Sequence, residues 1–338
     1  MSPASAGWYR GHACSSRLYA LFIGAFISIG SAIASAQMVV IDAGFATTVD
    51  KPTYTTSHPK VVIDAFHHNY HKADGFYAPL AALLQSDGYV VQAGNAAFSS
   101  EALSGISVLV IANALPSKDN GTQPVFAENE IRAVRDWVRA GGALLLIADH
   151  APFGTASKSM AGAFGVVMGE GYVFDLKNSW RNPTFLVFDR DNGLLGKHPI
   201  LEGNNSAQRI SRIVAFTGQS LSVPTGASVL LRLGKSAYEA ASSMDLAQAL
   251  TALEKGTAND PSFVAHAHPV RGPAQAVALP YGMGRVVVAG EAAMFTAQIL
   301  RLAQNGRTQE MRFGMNVPGN DDKQFALNVL HWLSRASR

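Results

Sequence analysis

The chain has 338 residues, 48% of them hydrophobic and 15% charged, with a formal net charge of +3. That composition fits a globular domain large enough to bury a substantial core. No Lys/Arg run interleaved with aromatics marks a phosphate-binding surface, so no nucleic-acid partner is expected. Cys14 is the only cysteine, which excludes an internal disulfide and, once a leader is removed, any thiolate metal site or thiol nucleophile.

The N-terminus reads as a secretory leader. Arg10 and Arg17 precede an apolar segment spanning 18–34, and Ala34-Ser35-Ala36 supplies an A-x-A cleavage site before Gln37. The apolar stretch is shorter than the roughly 20 residues a spanning helix needs, and Ser28, Gly30 and Ser31 dilute it. Cys14 lies ahead of this segment, unlike a lipoprotein anchor. The expectation is a signal peptide over 1–36, a periplasmic or secreted protein, and no stable membrane anchor after cleavage. Loss of Arg10 and Arg17 lowers the formal charge from +3 to +1.

Residues 37–59, Pro/Thr-rich in part, read as an extended N-terminal arm. Val61-Val62-Ile63-Asp64-Ala65-Phe66 is a strand-like run that opens into His67-His68-Asn69-Tyr70-His71. Tyr77, Leu80 and Leu84 then recur at helical spacing, with Pro79 in the first turn and Asp87-Gly88 as the stop. Strands follow at 89–92 and 108–112, the second ending at Asn113. A helix over 127–140 puts Ile131, Val134 and Val138 on one face and ends at Gly141-Gly142. The next apolar run stops abruptly at Asp149-His150, before Ala151-Pro152-Phe153-Gly154.

From about 165 to 284 the pattern is less regular, with strand-like pieces at 213–216 and 228–233 and a helix over 243–253. This stretch reads as a large insertion that partly covers the strand ends. The run 285–290 returns to the sheet and opens into Glu291, and a helix over 323–334 closes the chain. Apolar strands separated by single helices specify an α/β domain over 60–338 with a doubly wound, mostly parallel sheet.

Right-handed crossovers bring the strand ends to one edge, where open α/β sheets bind ligands. Asp149, His150 and Glu291 form the candidate catalytic group, because two carboxylates and an imidazole perform acid/base work and like charges raise a carboxyl pKa. His67, His68, Asn69, His71, Asn113 and Phe153 are candidate substrate-binding residues. Clustered imidazoles also leave open a divalent metal such as zinc, although His-His-x-x-His is not a diagnostic spacing. Asp64 reads as an internal hydrogen-bond anchor. No Walker or dinucleotide fingerprint is present, so no nucleotide cofactor is expected, and no G-x-S-x-G elbow supports a serine triad.

The strand, elbow and small-residue helix over 144–165 resemble the nucleophile elbow of class I glutamine-amidotransferase-like domains. His198-Pro199-Ile200 and the late strand leading to Glu291 are similar to trehalose-utilisation-like members. Further segments resemble exported bacterial proteins of the DUF4350 type: His67-His68-Asn69, 147–154, Phe216-Thr217-Gly218-Gln219-Ser220-Leu221 and Gly290-Glu291-Ala292-Ala293-Met294-Phe295. The resemblance covers about 60–333 and implies a flavodoxin-like sheet. Asp149 or His150 stands where an amidotransferase places its cysteine, and Glu291 where it places a histidine, so thiolate glutaminase chemistry does not transfer.

The reading that follows is an exported hydrolase acting on a polar, carbohydrate-derived small molecule, by Asp/His/Glu acid–base or metal-assisted chemistry. Two other readings stay open. One is a non-catalytic periplasmic module that binds a small ligand or glycan. The other, suggested by the trehalose-utilisation likeness alone, is a sugar isomerase.

Overall fold

The computed structural model describes residues 37–117, 124–304 and 307–336. The predicted leader therefore lies outside the described residues, as does Cys14. Among the described residues, no helix is long and apolar enough to cross a membrane.

The first strand, β1 (Gln37–Ile41), precedes the α/β unit: β2 (Lys60–Asp64), α1 (Ala78–Ser86), β3 (Val90–Gly94), β4 (Val108–Ala112), α2 (Glu128–Arg139), β5 (Ala143–Ile147) and α3 (Phe153–Gly162). The middle of the chain adds β6 (Tyr172–Asp175), β7 (Phe185–Asp189), α4 (Pro199–Glu202), β8 (Arg212–Phe216), β9 (Ser228–Arg232), β10 (Ala237–Ala240), α5 (Ser243–Lys255), α6 (Pro261–Val264) and β11 (His268–Pro269). The last part holds β12 (Ala274–Tyr281), β13 (Gly284–Ala289), β14 (Ala297–Gln304), β15 (Arg307–Gly314) and α7 (Asp322–Leu333).

A seven-stranded sheet in the order β3-β2-β4-β5-β13-β12-β9 organises the molecule. Its first five strands run parallel, and β12 is antiparallel to both β13 and β9. Strand side chains alternate between faces, so a sheet covered on both sides needs apolar residues at every position. Val61, Ile63, Val110, Leu145 and Val287 enter one core with Leu80 and Leu84 of α1 and Phe325 and Val329 of α7. Their neighbours Val62, Leu109, Leu144, Leu146 and Val288 enter a second core with Val134 and Val138 of α2 and Met160 of α3. The fold is thus a mixed α/β structure around a large, parallel-rich sheet.

Two parts of the chain differ from the sequence reading. The region taken as an insertion supplies β9 and β12, which extend the main sheet beyond β13. Only β6, β10 and β11, with α5 and α6 over a small apolar core around Phe174, Leu246 and Phe263, form a separate layer, beside the β7–β8 pair. The N-terminal arm begins as a strand: β1 pairs antiparallel with β14, which pairs with β15. Polarity patterning hid β14 and β15, because their outer face is charged and carries the Arg301–Glu310 ion pair at 2.9 Å.

Candidate active site

The parallel strands deliver four segments to one edge: 65–71 after β2, Asn113 after β4, Asp149-His150 after β5 and Glu291–Ala293 after β13; the antiparallel β7–β8 pair adds Phe216 at the end of β8. A cavity of about 60 Å3 opens among them. His71, Asn113, Asp149 and His150 supply its polar side, while Tyr70, Phe153 and Phe216 form apolar walls. Val39 of β1, Gln298 and Leu300 of β14 and Phe313 of β15 close the opposite side. The sequence reading expected the middle of the chain to cover the site. Its main contributions are Phe216 and Tyr172, whose ring stacks on His150 at 3.9 Å between centroids.

Asn113 brackets the site. Its φ of 54° is left-handed, a conformation Asn tolerates better than most residues. Its main-chain N–H donates to Ile147 O at 2.9 Å and its carbonyl accepts from Tyr70 N at 2.9 Å. In the side chain, Oδ1 accepts from Asp149 N at 2.8 Å and Nδ2 donates to His71 Nδ1 at 3.1 Å. One amide therefore joins three loops, since it carries both a donor and an acceptor. The same contacts fix the His71 tautomer: Nδ1 accepts, so the proton sits on Nε2. Burial pushes His71 down to about 3, which keeps the ring neutral.

Asp149 is the carboxylate that reaches the cavity, with its side chain 14% exposed. Oδ1 accepts from His150 N at 3.0 Å. Burial raises the Asp149 pKa above its ordinary 3.8, against the opposing pull of His150 and of the N–H groups of His150 and Ala292. The His150 ring is oriented by Nδ1, which donates to Ala151 O at 2.9 Å, and its Nε2 lies 3.9 Å from Asp149 Oδ1.

Glu291 has a different setting from the one its spacing suggested. It is fully buried and does not line the cavity. Oε1 accepts from Phe216 N at 3.3 Å and Ala293 N at 2.8 Å, and Oε2 accepts from Met294 N at 2.8 Å. Both oxygens are thus engaged in holding the turn after β13 against the end of β8. Burial and the neighbouring Asp149 charge raise its pKa well above 4.5, which favours the protonated form of Glu291 beside the Asp149 carboxylate.

The histidine run divides three ways. His67 is buried between Asp64 Oδ2 at 2.8 Å and Glu130 Oε1 at 3.0 Å, and its ring packs on Phe98 and Phe126. His68 is exposed at a φ of 49°. His71 alone lines the cavity. Asn69 lies beneath the loop, donating to Ala112 O at 3.2 Å. Of the loop residues expected to bind substrate, His67 and Asn69 are internal fasteners and His68 is a solvent-exposed turn residue, so the three do not line the cavity. Among the described residues, no three His, Cys, Asp or Glu side chains are grouped so as to hold a metal ion.

Sequence reasoning missed Tyr70, Gln298, Leu300, Phe313 and Val39, which come from β1, a β-hairpin and a loop tip. It also left Gln219 without a role. That buried amide donates to Ala148 O at 2.7 Å and Asp149 O at 3.0 Å and accepts from Glu170 N at 2.9 Å, which fixes the end of β5. The Thr217-Gly218 turn before it is left-handed at both residues, and a Cβ on Gly218 would meet Gly290 O at 2.4 Å. This close approach accounts for the glycine in the segment 216–221.

No family model matches the chain, and no curated protein matches it. Among solved structures, the mmIFT52 N-terminal domain aligns with 81% of this chain and 97% of its own length, at a TM-score of 0.53 and 15% identity. A ThuA-like protein from Bacteroides uniformis aligns with 85% of this chain and 94% of its own, at a TM-score of 0.41 and 13% identity. A glutamine amidotransferase from Thermotoga maritima covers 70% of this chain and 76% of its own, at 0.37 and 9%. At such identities the first of these likenesses speaks for the fold alone.

Proposed function

We propose that the chain is an exported, periplasmic or secreted hydrolase in which Asp149 is the general base and neutral His71 the hydrogen-bond donor to the oxygen that gains charge. One observation carries this reading: two groups on one cavity, joined through Asn113, are shifted in opposite directions, Asp149 above 3.8 and His71 to about 3. Environments that reverse the usual order of a carboxyl and a nearby imidazole in this way assign a base and a neutral donor. Asp149 takes a proton from water as the water oxygen bonds to the electrophilic carbon of an ester, amide or glycoside. His71 Nε2–H supports the oxygen receiving the electron pair, and the proton held by Asp149 passes to the leaving group. His150, stacked on Tyr172, lines the same cavity and limits where that water can sit.

The substrate is a small, polar, carbohydrate-derived molecule with an apolar face turned to the aromatic walls. The order β3-β2-β4-β5-β13, with the first parallel strand second in line, is that of doubly wound flavodoxin-like sheets and supports a class I glutamine-amidotransferase-like fold of the DUF4350 type. The site also sits where such sheets bind ligands, on either side of β2 and β4.

A second reading is a non-catalytic binding module. It is favoured by the full engagement of Glu291 with backbone N–H groups, which leaves a single cavity carboxylate. The test is turnover of ester, amide and glycoside panels by the wild type, Asp149→Asn and His71→Gln. The hydrolase reading requires activity that Asp149→Asn abolishes while the variant stays folded. Binding without turnover in the wild type, or activity indifferent to Asp149→Asn, would replace it with the second reading.

A further inference from the structure

The cavity has one formal charge and no basic side chain of the Lys or Arg type in its lining. That charge is the Asp149 carboxylate, so the local field is negative. The one ion-pair contact of Asp149 among the described residues is the His150 imidazole at 3.9 Å. A phosphate or carboxylate ligand would face repulsion with no Arg or Lys to hold it. The walls are aromatic: Tyr70 and Phe153 lie 5.9 Å apart between ring centroids, and Phe216 and Phe313 lie 4.8 Å apart. Aromatic faces around a carboxylate bind ammonium groups that carry alkyl substituents, because the ring quadrupole attracts the cation and the methyl groups fill apolar space.

A second observation gives the rest of the ligand. His71 is 95% buried, its Nδ1 is taken by Asn113, and its Nε2–H has no hydrogen-bond partner among the described residues. That donor calls for an oxygen acceptor on whatever enters. The 60 Å3 of the cavity holds roughly four waters, the size of an ammonium with a few methyl groups.

We infer that the Asp149 cavity takes a small organic cation, an alkylated or sugar-borne ammonium, with a hydroxyl or carbonyl oxygen placed against His71. This deepens the proposed function and rests on the cavity being the functional site, not on hydrolysis. The ammonium sits against Asp149 between the two aromatic pairs, and its oxygen-bearing arm turns toward Nε2.

Titration calorimetry of the purified chain at neutral pH tests this, with choline, tetramethylammonium, glucosamine and the uncharged choline isostere 3,3-dimethylbutan-1-ol. Choline is expected to bind about tenfold more tightly than the isostere. Asp149→Asn erases that preference, and His71→Phe brings choline down to the level of tetramethylammonium, which has no oxygen. In the wild type, choline affinity falls as pH is lowered through the Asp149 titration, a readout that does not depend on any variant folding. Equal or tighter binding of the neutral isostere overturns the inference, as does saturable binding by none of the three cations. A neutral substrate turned over through Asp149 would overturn this inference and leave the hydrolase standing. A cation bound but never turned over would do the reverse.

Discussion

His67 and His71 lie on the same loop, yet their surroundings act on them in opposite directions. Around His67, burial lowers the pKa but the hydrogen bonds and charges of Asp64 and Glu130 outweigh it, so the ring is held above 6.5 as a cation between two carboxylates. Glu130 also accepts from Phe98 N at 3.0 Å and Ala127 N at 2.9 Å, which ties the start of α2 to the loop after β3. Every side-chain charge in that cluster has a partner. Around His71 no carboxylate compensates, the ring stays neutral, and Nε2–H is left open beside a carboxylate that lacks a Lys or Arg. A closed polar cluster fastens the fold, whereas an incomplete one at a cavity awaits a ligand.

The strongest way to break this contrast is Asp149→Asn. Turnover should fall by about 10²–10⁴, the range for a general base. Stability at neutral pH should hold or rise, because a carboxyl whose folded pKa is raised loses stability as pH increases through that value. In the wild type, rate should decline on acidification, with a midpoint above the ordinary 3.8 because the base must be ionised. Steady-state rates on the first substrate found, together with melting curves, decide it. A variant that loses fold and rate together would mean that Asp149 belongs to the fastening cluster.

His67→Ala attacks the other side. Removing the cation leaves Asp64 and Glu130 buried face to face, at a cost of about 3–5 kcal/mol in urea unfolding. A loss below about 1 kcal/mol would show that the cluster is not the fastener described. The wild type adds a pH signature of its own. The His67 contribution is complete below 6.5 and is lost as pH rises through the higher folded value, so stability should slope downward above 6.5 and that part of the slope should vanish in the variant.

The parallel strands, their flanking helices and the edge carrying Asp149 and His150 were legible in the sequence because continuous apolar runs and 3.6-residue spacing are local signals. Asn113, His71 and Phe153 were legible as candidates for the same reason, each following a readable element. What separated His71 from His67 was only partly local: Asp64 stands three residues before His67, but the second carboxylate, Glu130, reaches back to that ring from α2, far along the chain. The β1 and β14–β15 wall was hidden because it pairs an N-terminal strand with a hairpin near the C-terminus. Glu291 was visible as a strand-end acid, but three backbone N–H groups from two segments determine its role.

A finer probe is Phe216→Leu. The ring fills one wall of the cavity and packs edge-on to Phe313 at 82°. Leucine keeps much of the volume, so stability should change by no more than about 1.5 kcal/mol. Ligand affinity should drop several-fold through loss of the aromatic face. Calorimetry and melting on the same samples separate the two, and a large stability loss with unchanged affinity would move Phe216 from the cavity to the core.

The smallest expected effect lies at Asp322, the first residue of α7. Its Oδ1 accepts from Val214 N at 3.1 Å, but Oδ2 is buried with no partner, and burial raises its pKa well above 3.8. The sign is that of Asp149: its contribution is present below the unfolded value and lost as pH rises through the folded one. Asp322→Asn keeps the Val214 bond and removes the ionisable proton, so it should lie within about 1 kcal/mol of wild type in acid. At alkaline pH the variant should be the more stable protein. Urea unfolding across pH decides it, and a variant no more stable than wild type at alkaline pH would show that the Asp322 carboxyl carries no buried-charge penalty.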